Sequence, residues 1–183
     1  MCVGALCSDC IVWRLHCVAA ALRGSVVGMT DRQVDSARPA GTQSWQVAGV
    51  GHDVVDGPAF VEHLAMPGTR FAARAFAPVE LRQCQERAAR AGDGTAVHLA
   101  ARWAGKEAVL KAWSEALGSG DAPYTIDDFP WRDVRIVEDA RHRPRVMLAP
   151  AVEARLPFPI RWHVSLSHDG AVASAFVVAE RLA

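Results

Sequence analysis

ARWAGKEAVLKAW, residues 101–113, has no proline, a single glycine (Gly105), and apolar Trp103, Val109, Leu110 and Trp113 spaced to favour one buried side of a helix. Glu107 and Lys111 stand four apart and project from one face, which Ala100 and Ala104 extend with side chains small enough for close approach. The same spacing describes an ordinary exposed ion pair worth about 0.2–0.5 kcal/mol. Composition argues for more. Of the 20 Lys and Arg residues only two are lysines, Lys106 and Lys111, and both fall in this stretch. Lysine is a compact point charge suited to phosphate, and arginine does not replace it there.

Working outward, the helix is expected over 97–117, stopped by Gly118-Ser119-Gly120. Before it, Pro78 opens a helix over 79–91 that ends at Gly92-Asp93-Gly94, with a short helix at 58–64 and a basic amphipathic stretch at 70–77. WQVAGVGHDVV, residues 45–55, has the β-branched content and glycines of a buried strand closely approached by other backbone. Alternation puts Gly49, Gly51 and Asp53 on one side and Val50 and His52 on the other. Asp53 alone fits a cap or turn residue as well as a ligand. Beyond the helix, 131–137 and 145–148 suggest a hairpin turning at His142-Arg143-Pro144, followed by a short helix at 150–156. Strands at 161–167 and 171–180 are joined by His168-Asp169-Gly170. These elements predict an α+β fold, an antiparallel sheet covered by helices on one face.

At 183 residues the chain suits one domain with an extension, and its net charge of +0 offers no basic field for nucleic acid. It contains no apolar run of transmembrane length, and a soluble, cytoplasmic protein is expected, with no membrane partner. Cys2, Cys7, Cys10 and Cys17 crowd the N-terminus, but their spacing fits no common metal-site pattern. That end also lacks an early basic residue and a long enough apolar run for a signal peptide. Residues 1–44 are expected to be a poorly ordered extension, an over-called translation start being one source, and 45–183 the domain.

Ser167, His168 and Asp169 do not make a catalytic triad, because consecutive strand residues point to alternate faces. No G-x-S-x-G elbow, P-loop or dinucleotide fingerprint is present. Asp53 and Glu107, however, are hard oxygen donors from different elements, a set that suits Mg²⁺ beside a substrate phosphate. Lys111, one turn beyond Glu107, would reach that phosphate, and phosphoryl transfer asks mostly for positioning and charge neutralisation.

GVGHDVV, ARWAGKEAVLKAW and WHVSLSHDGAVASAFVVAE occur in an order and spacing that resemble the holo-(acyl-carrier-protein) synthase, or 4′-phosphopantetheinyl transferase, family. The stretches PGTRFAARAFAP and HLAARWAGKEAVLKAWS resemble its actinobacterial members, and the likeness spans about residues 46–181. The resemblance implies transfer of 4′-phosphopantetheine from coenzyme A to a serine of an apo acyl carrier protein, releasing adenosine 3′,5′-bisphosphate, in fatty acid biosynthesis. It implies that Asp53 and Glu107 bind Mg²⁺, that Lys111 contacts phosphate, and that Arg102 and His168 lie near the nucleotide of coenzyme A. Glu107 and a water at the ion are the two candidate bases for the serine. A homotrimer with sites between subunits is implied as well, and Arg70 and Arg74 are the basic residues expected to steer an acidic carrier.

Several residues depart from the family pattern. His52 stands where many relatives have an aliphatic residue, and metal contact, a local hydrogen bond and a core position are all open to it. The helix after Asp53 carries Asp56 and Glu62 and lacks an arginine near Ala59, Gly105 replaces the usual alanine, and residues 114–120 lengthen a connection. Two other functions remain in play: a transferase for polyketide or peptide-synthase carriers, and a non-catalytic coenzyme A-binding protein.

Overall fold

A computed structural model describes residues 44–183, so the expectations for residues 1–43, including the cysteine cluster, lie outside the described residues. The element order is β1 (Trp45–Asp56), α1 (Gly57–Ala65), α2 (Phe71–Ala75), α3 (Pro78–Ala91), α4 (Thr95–Leu117), β2 (Val134–Glu138), β3 (Pro144–Leu148), α5 (Pro150–Glu153), β4 (Ile160–Asp169) and β5 (Val172–Leu182). Strands β1, β5 and β4 form one antiparallel sheet in that order, and β2 and β3 form a separate hairpin. Helix α4 lies across one face of the three-stranded sheet, giving the expected α+β arrangement. No described helix is long and apolar enough to cross a membrane.

The centre of the fold is a contact between two backbones. Gly49 and Gly51 face α4 so closely that a Cβ on Gly51 would sit 1.9 Å from the Ala108 carbonyl oxygen, and one on Gly49 2.1 Å from that of Ala112. On the helix side Ala104, Ala108 and Ala112 are fully buried. The small-residue face of the helix is therefore a packing surface against β1 and not a platform for a ligand, and α4 is buried on nearly every side. Ala173, Ala175, Val177 and Ala179 of β5 complete this inner layer.

Lys106 belongs to the core and not to any phosphate. Its ammonium donates to Glu80 Oε2 (3.0 Å), to the Trp131 carbonyl (2.7 Å) and to the Val134 carbonyl, while Glu80 accepts from the amides of Ala77 and Ile136. Both side chains are fully buried, and together they tie α3, α4 and the β2–β3 hairpin. Half of the lysine-composition signal thus reports a structural ion pair. The same network shortens β2: residues 131–133 turn on bonds to Phe129 and Pro130 instead of extending as strand.

Burial pulls Lys106 down from 10.5 to about 8 against the attraction of Glu80, and pushes the Cys84 thiol up from 9.0 to about 12. From about pH 8 upward the unfolded chain holds the Lys106 proton that the folded chain sheds, so this group adds stability as pH rises. Above pH 9.0 Cys84 acts oppositely, because the unfolded thiol ionises while the folded one does not. Urea midpoints should therefore flatten or fall above pH 9.0 in the native chain and hold up better in Cys84→Ala; superimposable pH profiles would count against burial of the thiol.

Candidate active site

Because Gly49, Gly51 and Asp53 share one side of β1 and the strand runs opposite to α4, Asp53 is delivered to the turn carrying Glu107 and Lys111. Lys111 Nζ donates to Asp53 Oδ1 and to the His52 carbonyl, both at 2.8 Å. Two of the three ammonium donors are engaged this way, which fixes the charge in place. The side chains are 13% (Asp53) and 25% (Lys111) exposed, sheltered but within reach of solvent. Glu107 is half-buried, one turn before Lys111 on the same helix face.

Asp53 Oδ2 is buried and accepts no hydrogen bond. An unsatisfied buried acceptor costs about 1–3 kcal/mol, and more when it is charged. A hard divalent cation takes such an oxygen, and Asp53 with Glu107 makes an all-carboxylate donor set appropriate to Mg²⁺. The chemistry of the Asp53 carboxylate fits such an ion. His52 sends its ring to the opposite face of the sheet, where Nε2 lies 3.1 Å from Ser174 Oγ and the ring 6.4 Å from Phe176. Of its three possibilities the local hydrogen bond is the one realised.

Arg102 and His168 gather elsewhere. Arg102, 3% exposed, donates to Glu138 Oε1 (3.1 Å) and to the carbonyls of Ile136 (3.2 Å) and His98 (3.4 Å). His168 is the last-but-one residue of β4, paired with Ala173, and its ring meets His98 edge-on at 5.5 Å. His98, 4% exposed, bonds Asp93 Oδ1 at 2.7 Å. Arg102 and His168 therefore engage Glu138, Ile136 and His98, a set of contacts separate from the Asp53–Lys111 bond. Asp93 and His98 went unremarked in the sequence, where Asp93 read as part of a helix stop. The five-residue step from Asp93 to His98 across a helix start was the only available signal.

The family model for the 4′-phosphopantetheinyl transferase superfamily matches residues 49–179. A protein of Bifidobacterium animalis subsp. lactis described as holo-[acyl-carrier-protein] synthase is 50% identical over 141 residues, covering 71% of this chain and 95% of its own length. Among solved structures, the Chronobacterium ammoniagenes ACPS-CoA complex has a TM-score of 0.65 at 32% identity, covering 77% of this chain and 99% of that one. The Mycobacterium tuberculosis acyl carrier protein synthase has a TM-score of 0.56 at 36% identity, covering 74% and 99%. The helix-on-sheet scaffold, the three ordered motifs and these likenesses agree, and the chain belongs to the 4′-phosphopantetheinyl transferase superfamily.

Proposed function

We propose that this chain transfers 4′-phosphopantetheine from coenzyme A to a serine hydroxyl of an apo acyl carrier protein, using Mg²⁺. The observation that carries the reading is the buried, unpartnered Oδ2 of Asp53 beside the Lys111 ammonium, one helix turn from Glu107. Asp53 and Glu107 would hold the ion, which when bound neutralises pyrophosphate charge. Lys111 holds a positive charge against the phosphate that is transferred. Glu107 and a water at the ion are the two candidates for taking the serine proton. The serine oxygen bonds to the phosphorus of the phosphopantetheine half, the bridging P–O bond breaks, and its electron pair leaves with adenosine 3′,5′-bisphosphate. A fatty-acid carrier in the cytoplasm is the proposed acceptor.

Arg102 and His168 are assigned to the nucleotide end of coenzyme A supplied by a neighbouring copy, in a homotrimer with sites between subunits. The outer sheet face supports that arrangement: Val50, Val54, Val172 and Phe176 are exposed there, Phe176 by 47%. Phe176→Glu should split the assembly into monomers by light scattering and lose most transfer activity; an unchanged trimer mass would remove this face as the interface.

Incubating the full chain with apo carrier, coenzyme A and Mg²⁺, then weighing the intact carrier, tests the function. A phosphopantetheine adduct is expected, and a carrier that never gains one leaves only coenzyme A binding. Arg70 and Arg74 are both exposed around α2. Reversing both to Glu should raise the KM for carrier several-fold and reduce its salt dependence while kcat holds; an unchanged KM would exclude them from docking.

A further inference from the structure

We infer that Asp93, His98 and His168 form a second metal site, distinct from the Asp53 and Glu107 pair, that takes one first-row transition-metal ion such as Zn²⁺. One carboxylate oxygen of Asp93 and one ring nitrogen from each histidine lie within 4.8 Å of one another. Three elements converge to make this set: the loop between α3 and α4, the first turn of α4 and the end of β4. Each ligand has a fixed origin. His98 is held by burial in the helix, with its Nε2 directed at Asp93. His168 is held by the β4–β5 pairing to Ala173, which turns it to the helix side of the sheet.

Two imidazoles with one carboxylate suit zinc, cobalt or nickel far better than Mg²⁺, which prefers oxygen alone. In tetrahedral zinc with bonds of about 2.0–2.1 Å, ligand atoms lie roughly 3.3 Å apart. Binding therefore needs Asp93 and His98 to separate slightly from 2.7 Å, giving up their shared proton, while His168 closes from within 4.8 Å. Both adjustments are side-chain sized, and Asp93 and His168 are the exposed partners free to make them. The neighbouring cation Arg102, which donates to the His98 carbonyl at 3.4 Å, is paired with Glu138 at 3.1 Å. With three protein ligands and an exposed rim, the fourth position opens to solvent, for water or a phosphate oxygen. Because His168 is also assigned to the nucleotide end of coenzyme A, a metal held here and that nucleotide would compete for it.

The test uses full-length chain in which Cys2, Cys7, Cys10 and Cys17 are serine, so that N-terminal thiols do not compete. Co²⁺ titration should give a visible d–d band saturating at one equivalent, and Zn²⁺ should displace it. His168→Asn and Asp93→Asn, both at exposed positions, should each weaken Co²⁺ binding about tenfold or more, with circular dichroism unchanged. No band, or a band of the same affinity in His168→Asn, would show that the trio is only a hydrogen-bonded His–Asp pair with a neighbouring ring. A band lost in Asp53→Asn but retained in His168→Asn would overturn the site as well.

Discussion

Glu107→Gln is expected to lower kcat/KM for coenzyme A by at least about 10³-fold, equivalent to roughly 4 kcal/mol of transition-state stabilisation. The substitution keeps volume and shape and removes one negative charge. Under the proposed function Asp53 and Glu107 are the two carboxylates that would hold the ion; Asp53 already accepts from Lys111, and glutamine at 107 leaves Asp53 as the one anionic ligand of that pair. If Glu107 also takes the serine proton, the loss is larger, because an amide cannot serve as a base. The fold should survive: Glu107 sits at the half-buried margin of α4, and glutamine is as good a helix former as glutamate. Thermal melts should move by a few degrees at most, while raised Mg²⁺ recovers only part of the rate. Transfer within about tenfold of the native rate would mean that Glu107 neither holds the ion nor moves the proton. Lys111→Ala separates the roles, since it should raise the KM for coenzyme A more than that for carrier.

How much of this was legible in the sequence depended on the range of the interactions. Alternation alone put Gly49, Gly51 and Asp53 on one side of β1, and i,i+4 spacing alone put Glu107 beside Lys111. Both are local rules, and the Lys111–Asp53 bond follows once strand and helix cross. Lys106 was opaque for the opposite reason. Its partners Glu80, Trp131 and Val134 are 25 or more residues away, and nothing local distinguishes a buried lysine from a solvated one. The stretch 131–133 was misjudged as strand because its apolar alternation hid a turn that exists to present carbonyls to that lysine. Asp93 and His98 escaped for the same cause, as their meeting with His168 is made by the end of a distant strand.

Gly51→Ala is the substitution expected to do the most damage for the fewest atoms. The added methyl would stand 1.9 Å from the Ala108 oxygen and 2.8 Å from both the Ala108 carbon and the Ala112 nitrogen, all of them backbone. No rotamer change relieves such a contact, so β1 and α4 must move apart. Overpacking in a tight core costs about 1–3 kcal/mol, occasionally more, and a rigid backbone neighbour puts this case at the upper end. A loss of about 3 kcal/mol lowers the Tm of a domain this size by roughly 10 °C. The same displacement carries Asp53 away from Lys111, so transfer should fall about 10²-fold or more even below the melting temperature. Gly105→Ala supplies the contrast. Its methyl would meet Ile136 Cγ1 at 3.1 Å and Leu166 Cδ2 at 3.2 Å, side-chain ends that can give way, and alanine in mid-helix is favoured over glycine by about 1 kcal/mol. Gly105→Ala should therefore be close to neutral in both Tm and rate. If the two variants behaved alike, close approach of β1 to α4 would not be what positions the carboxylate, and the dependence of the site on two small residues in a strand would have to be abandoned.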